Sequence, residues 1–253
     1  MARKQSLHPR RIDHHHKHLS NVLLNDKQPP PDHSISRRLW SNCLDLANLA
    51  LESDFIQGIK HGTLNPNHYG QYTVQDVAYC YHGMKDYQKL EQRAIELNQM
   101  DLSKFAKARL ESYQNYYESE ASQWHIKNPD ALDLSKAAAW YIQVEENAVS
   151  EKYHPIYGII AMIPCNQLWP WLANELKLYK NDSGVYSFWI DENSSFDGSY
   201  RLDNFVDSWF AANPDEYSEA DANYIFRCSM IGEVNLFRSA CGQSLIPVPD
   251  HAT

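Results

Sequence analysis

From Ser36 onward apolar positions recur every three or four residues, and two-residue alternation is nearly absent, so the chain reads as helix after helix. The stretch "SRRLWSNCLDLANLALESDFIQGIKHG" (36–62) has helical apolar spacing and ends on a glycine. "NPNHYGQYTVQDVAYCYHGMKDYQKLEQRAIELN" (65–98) opens with Asn65 as N-cap and Pro66 at the first helical position, a strong start signal. Further helices are predicted near 102–124, 130–151, 155–180, 184–192, 200–212 and 214–240. The Asp-Gly pair at 197–198 reads as loop. There is no internal repeat, GxGxxG or P-loop, and the predicted fold class is all-α, a compact helical bundle of about seven to nine helices.

One segment resists this pattern. Residues 163–171 read "IPCNQLWPW" inside an otherwise uninterrupted apolar helix. A mid-helix proline removes a hydrogen bond and crowds the carbonyl four residues back, at roughly 3 kcal/mol. Such a cost is tolerated for a bend, for a freed carbonyl, or by accident.

Composition narrows the possibilities. The 253 residues carry a formal charge of −9, which argues against binding a phosphate backbone and so against a nucleic-acid partner. No window approaches the length of a membrane span. The five cysteines are widely spaced and form no CxxC pair, which disfavours a disulfide framework or a zinc knuckle and points to a reducing, cytoplasmic setting. Residues 1–35 differ from the rest: six Lys/Arg stand against three Asp, with the run "HHHKH" and the stretch "QPPPD". This segment reads as a basic, His/Pro-rich, flexible N-terminal extension, with 36–253 as the folded domain.

In a bundle, the informative residues are polar groups on apolar faces. Tyr69, Tyr72, Asp76 and Tyr79 follow at spacings of three, four and three, setting Asp76 in an aromatic stripe. A carboxylate there is expensive unless paired or hydrogen-bonded, so Asp76 is either a structural group held by hydroxyls or a ligand anchor. Cys165 has Ala161, Met162, Leu168 and Trp169 as helical neighbours. Alone, that placement describes a small buried hydrophobe with an inert thiol, unless a base is close. Glu233 has Met230, Leu236 and Phe237 around it and Gly232 beside it, the one glycine of its helix. A carboxyl in apolar surroundings has its pKa raised, which suits a proton shuttle near neutrality; the bland alternative pairs it with Arg227 or Arg238. Together the three residues suggest a nucleophile, a proton carrier and an anchor.

Several stretches also carry a likeness: "FIQGIKHGTL" (55–64), "YTVQDVAY" (72–79), "MIPCNQLW" (162–169), "YSFWID" (186–191) and "GEVNLF" (232–237). From about residue 39 to 241 the chain resembles the TenA/thiaminase II family, whose fold is haem-oxygenase-like and all-helical. The resemblance implies Cys165 as the nucleophile adding to a pyrimidine ring carbon and Glu233 as the proton carrier. Asp76 would hold the aminopyrimidine edge, with Tyr79 and Tyr141 lining the same pocket. Pro164 would bend its helix and turn the thiol toward a cavity. Two pocket positions depart from the family pattern: Asn193 stands where a tyrosine is usual, and Leu236 where a phenylalanine is.

The implied activity is cysteine-dependent, cofactor-free hydrolysis of aminopyrimidines, or of thiamin itself, in thiamin salvage, by a homo-oligomer (tetramer or dimer) acting on a small molecule away from membranes. A non-catalytic binding protein that keeps the pocket is the alternative motivated by Asn193 and Leu236. A di-metal oxidase on the same fold would have to use Glu145, Glu146 and His82, but after His154 the next histidine is His251. Haem oxygenase chemistry needs an early axial histidine, and none lies between His33 and His61.

Overall fold

The first predicted helix is three. In the computed structural model, which describes residues 27–216 and 218–249, the segment forms α1 (Ile35–Ser41), α2 (Leu44–Leu51) and α3 (Asp54–Lys60). Serine chemistry sets the starts of two of them: Ser34 Oγ accepts from Arg37 N–H and Ser53 Oγ from Ile56 N–H. A side chain that caps offers the backbone an exit from the preceding helix. Each short piece then turns its own apolar face inward, burying Leu39, Leu46 and Phe55.

Two long helices follow, α4 (Pro66–Glu96) and α5 (Met100–Gln123), and they pack against each other as an antiparallel pair. Asn65 Oδ1 accepts from Asn67 N–H at 2.9 Å, so the predicted cap is present. Next comes α6 (Lys136–Ala148), shorter than its pattern suggested because Pro129–Ala131 forms a separate 3₁₀ turn and Ser135 caps the helix. The apolar helix α7 (Ile156–Leu176) runs unbroken through Pro164 and Pro170. A short α8 (Ser187–Glu192) precedes α9 (Asp197–Ala212), and α10 (Glu219–Ala240) completes the bundle. Asp197 and Gly198 thus open a helix rather than a loop. A Cβ at Gly198 would fall 2.9 Å from Asn166 Oδ1, so the glycine is what lets α9 approach α7.

The central element is α10, packed on α2, α4, α6 and α7. From Cys228 to Phe237 every residue is buried, so in this stretch even the polar face of an ordinary amphipathic helix has no outlet to water. This is why Glu233 lies inside. Neither arginine considered as its partner reaches it: Arg227 forms a two-pronged ion pair with Asp45 (2.7 and 3.1 Å), and Arg238 Nε donates to Ser244 O.

Part of the N-terminal segment belongs to the fold. Pro30 is buried, Gln28 O accepts from Asn204 Nδ2 at 2.8 Å, and Lys27 pairs with Asp197. The "HHHKH" run lies outside the described residues. Among the described residues there is no strand, and no helix is long and apolar enough to cross a membrane.

Candidate active site

Asp76 and Cys80 of α4, Tyr113 and Tyr116 of α5, and Cys165 and Trp169 of α7 enclose a cavity of about 250 Å³. Its mouth is formed by Asn193, Ser195 and Gly198, between the end of α8 and the start of α9. This is room for one small heterocycle, lined by rings, two thiols and the carboxyls of Asp76 and Glu192.

Cys165 faces this space half-buried, on a helix that Pro164 does not interrupt. Tyr113 Oη lies 3.8 Å from its sulfur and donates toward it. Burial pushes the thiol well above its ordinary range, and the nearby Glu233 and Asp76 push the same way. At rest the sulfur is therefore a thiol that needs a base.

The base is directly behind it. Glu233 is 1% exposed, and its carboxylate accepts from Tyr141 Oη at 2.9 Å on one oxygen and from Trp169 Nε1 at 3.0 Å on the other. Burial raises its pKa from 4.5 to about 7, against the pull of hydrogen bonds from Trp169, Tyr141 and the Cys165 thiol. A carboxyl near 7 is half ionised at neutral pH and can both take and return a proton.

Asp76, one helical turn before Cys80, is buried in the aromatic stripe. Burial, then Glu233, raises its pKa well above the carboxylate range, while a hydrogen bond from Tyr116 opposes the shift. The neutral acid that results carries both a donor and an acceptor, the pair that an amino group beside a ring nitrogen presents in reverse.

Tyr79 and Tyr141, expected to line the pocket, are instead one layer behind it. Both are fully buried with rings stacked 4.6 Å apart, and they join two carboxyls. Glu145 Oε1 and Tyr79 Oη are 2.6 Å apart, Tyr79 Oη and Tyr141 Oη 3.2 Å, and Tyr141 then donates to Glu233. A phenol has one proton, so Tyr79 can serve both neighbours only if Glu145 is protonated and donates. Burial, reinforced by Asp86, does hold Glu145 far above the carboxylate range. Hydroxyls thus link the two carboxyls continuously, Glu145 to Tyr79 to Tyr141 to Glu233.

The other expected positions divide. Asn193 is at the mouth, its Nδ2 spent on Trp189 O at 2.8 Å. Leu236 is not at this cavity. It lines a larger, more open cleft of about 650 Å³ between α4 and α10, together with Gln71, Trp124 and Leu134. That cleft is lined by no cysteine, so thiol chemistry belongs to the smaller cavity. Glu145 and Glu146 face opposite ways, the second contacting His82 Nδ1 at 3.4 Å on the outside. Among the described residues no three His, Cys, Asp or Glu side chains converge as a metal site.

Sequence reasoning missed Tyr113, Tyr116 and the inward turn of Glu145. The visible hint was "ESYQNYYESE" (111–120), where tyrosines recur at helical spacing on a helix otherwise charged.

No protein-family model matches the sequence, and no curated protein matches it. Solved structures do. A TenA homologue from P. horikoshii OT3 superposes with a TM-score of 0.68 at 17% identity, over 82% of this chain and 98% of that one. A TenA family transcription regulator from Silicibacter sp. TM1040 gives 0.62 at 13% identity, over 84% and 98%. A protein named provisionally as a TenA-like thiaminase from Sulfolobus solfataricus P2 gives 0.56 at 15%, over 83% and 97%. At such identities the likeness is one of architecture: the chain has the all-α, haem-oxygenase-like fold of the TenA proteins.

Proposed function

We propose that the cavity binds an aminopyrimidine and hydrolyses the bond between its exocyclic methylene and a nitrogen leaving group. What carries the reading is the Cys165 thiol facing the cavity with Glu233 held behind it by Tyr141 and by Trp169, one helical turn on from Cys165, the carboxyl's pKa near 7 suiting proton exchange. The fold shared with a provisionally named TenA-like thiaminase supports the same class of substrate.

In this reading Asp76, as the neutral acid, donates to a ring nitrogen and accepts from the adjacent amino group, fixing the ring over Cys165. Glu233 takes the thiol proton as sulfur bonds to a ring carbon and the ring electrons move onto the ring nitrogen. Those electrons return to expel the amine from the exocyclic carbon, and Glu233 gives its proton to the departing nitrogen. Water adds at that carbon, its proton passing to Glu233. Sulfur then leaves the ring and recovers a proton from Glu233. The sum is substrate plus water giving hydroxymethyl product plus amine. Tyr141 and Trp169 hold the carboxylate in place, and Tyr113 donates to sulfur as it becomes a thiolate.

The test is incubation with 4-amino-5-aminomethyl-2-methylpyrimidine and with thiamin, following hydroxymethylpyrimidine by mass spectrometry, beside Cys165→Ser and Glu233→Gln. Product from the wild type that vanishes in both variants is expected. Binding of either compound with no product at high protein concentration would instead favour a binding protein, the reading that Asn193 at the mouth motivates.

A further inference from the structure

Two arginines near the cavity have no partner. Arg109 on α5 and Arg201 on α9 form no hydrogen bond or ion pair with any described residue, and the Nε atom of each is buried and unsatisfied. They come from neighbouring positions: Phe105 and Phe205 stack at 3.9 Å, and each arginine lies one helical turn beyond its phenylalanine. One more turn along brings each helix to the cavity, at Ser112 beyond Arg109 and at Gly198 before Arg201. The guanidinium of Arg109 sits 5.9 Å from the centre of the Phe105 ring. It is close enough to Arg201, and buried enough, for its charge to be disfavoured by both.

This arrangement is costly for the empty protein. A largely buried cation ordinarily has a carboxylate beside it, and two like charges side by side make matters worse. Other arginines of the chain are paired, Arg227 with Asp45 and Arg93 with the Val149 and Tyr153 carbonyls, while Arg37, whose Nε is also unsatisfied, lies over the Tyr200 ring. The acid nearest the pair in sequence, Asp197, is bonded to Lys27 and feels the Arg201 charge without a hydrogen bond to it. The backbone amides of Gly198 and Ser199, in the first turn of α9, also lack intrahelical acceptors, as at any helix start.

We propose that Arg109 and Arg201 form an anion subsite one helical turn beyond the cavity, past Ser112 and Gly198, which takes a phosphate ester carried by the small-molecule substrate. Guanidinium groups match phosphoryl oxygens in a paired, planar geometry. Neither arginine lines the cavity itself, so with the pyrimidine held at Asp76 and Cys165 the phosphate would sit about one helical turn further out, at the far end of the leaving group. The assignment rests on the aminopyrimidine reading for the rest of the substrate, though the anion site itself does not.

The experiment has two arms. In the first, inorganic phosphate is titrated against potassium chloride of equal ionic strength, and the thermal midpoint is read for the wild type, Arg201→Gln, Arg109→Gln and the double variant. Phosphate is expected to raise the wild-type midpoint and not those of the variants. Without phosphate, Arg109→Gln should be no less stable than the wild type, since it removes an unpaired charge. In the second arm, calorimetry compares thiamin with thiamin monophosphate. The ester is expected to bind the wild type about tenfold more tightly, an advantage lost in Arg201→Gln. A phosphate effect confined to the wild type, with neither thiamin compound binding, would keep the subsite and discard the pyrimidine. No phosphate effect beyond chloride would overturn the proposal.

Discussion

Gly232 lies against the ring of Tyr141, so close that a β-carbon at that position would clash with the ring carbons Cγ, Cδ2 and Cε2. The glycine therefore makes the Tyr141–Glu233 hydrogen bond possible, because it lets α6 and α10 meet at the level of the carboxylate.

Gly232→Ala should separate the two helices locally and break that bond. Tyr141 is fully buried and has nowhere to retreat. Overpacking of this kind costs about 1–3 kcal/mol, readable in urea unfolding. A variant as stable as the wild type, with its hydrolysis intact, would show that the contact relaxes freely.

Stability should fall as pH rises through the range where Glu233 titrates. Its folded pKa, about 7, is above the ordinary 4.5, so between those values the folded state holds the extra proton. The contribution is present in full below about 4.5 and is lost as pH rises through about 7. A shift of that size corresponds to roughly 3 kcal/mol. Asp203, pushed to about 7, and Asp86, pushed to about 8, act in the same direction. Glu233→Gln should remove its own share, so its stability relative to the wild type should climb between pH 4.5 and 7. A constant difference across that window would mean the carboxyl titrates normally.

Tyr141→Phe removes a donor that favours the ionised form of Glu233. The acidic limb of the pH–rate profile should move to higher pH, with turnover reduced at neutrality. Tyr79→Phe, which leaves Glu145 without its 2.6 Å partner, should cost about 1–3 kcal/mol of stability. It should disturb the profile less than Tyr141→Phe, because it acts one link further away.

Pro164→Ala restores a backbone donor inside α7, so the thermal midpoint should rise. If the proline also serves to present Cys165 to the cavity, hydrolysis should fall at the same time. Unchanged turnover would mark it as merely tolerated.

Much of the architecture could be anticipated from short-range chemistry. The Asn65 cap, the proline after it and the apolar period of the later helices are features of a few adjacent residues, and each of these helices forms, although those expected over 130–151 and 214–240 begin late, after separate 3₁₀ turns. The single helix expected over 36–62 failed because its pattern permits continuation, while Ser53 caps a new start. The loop reading of Asp197 and Gly198 failed because the glycine answers to α7, a distant segment.

Within the candidate site, apolar faces singled out Asp76, Cys165 and Glu233 as polar groups in unusual places. The same pattern could not rank Tyr79 and Tyr141 behind the wall, send Leu236 to the opposite cleft, or turn Glu145 inward and Glu146 outward. Helical spacing assigns a residue to a face; depth depends on which helix covers that face. Tyr141 and Glu233 are 92 residues apart along the chain and 2.9 Å apart in the fold. Which segments become helices is settled by neighbours within a turn or two, through caps and apolar period. Which carboxyl meets which hydroxyl, and so where protons can move, is settled by packing of α4, α6, α7 and α10 against one another, because burial and hydrogen bonding between distant segments exist only once the bundle has closed.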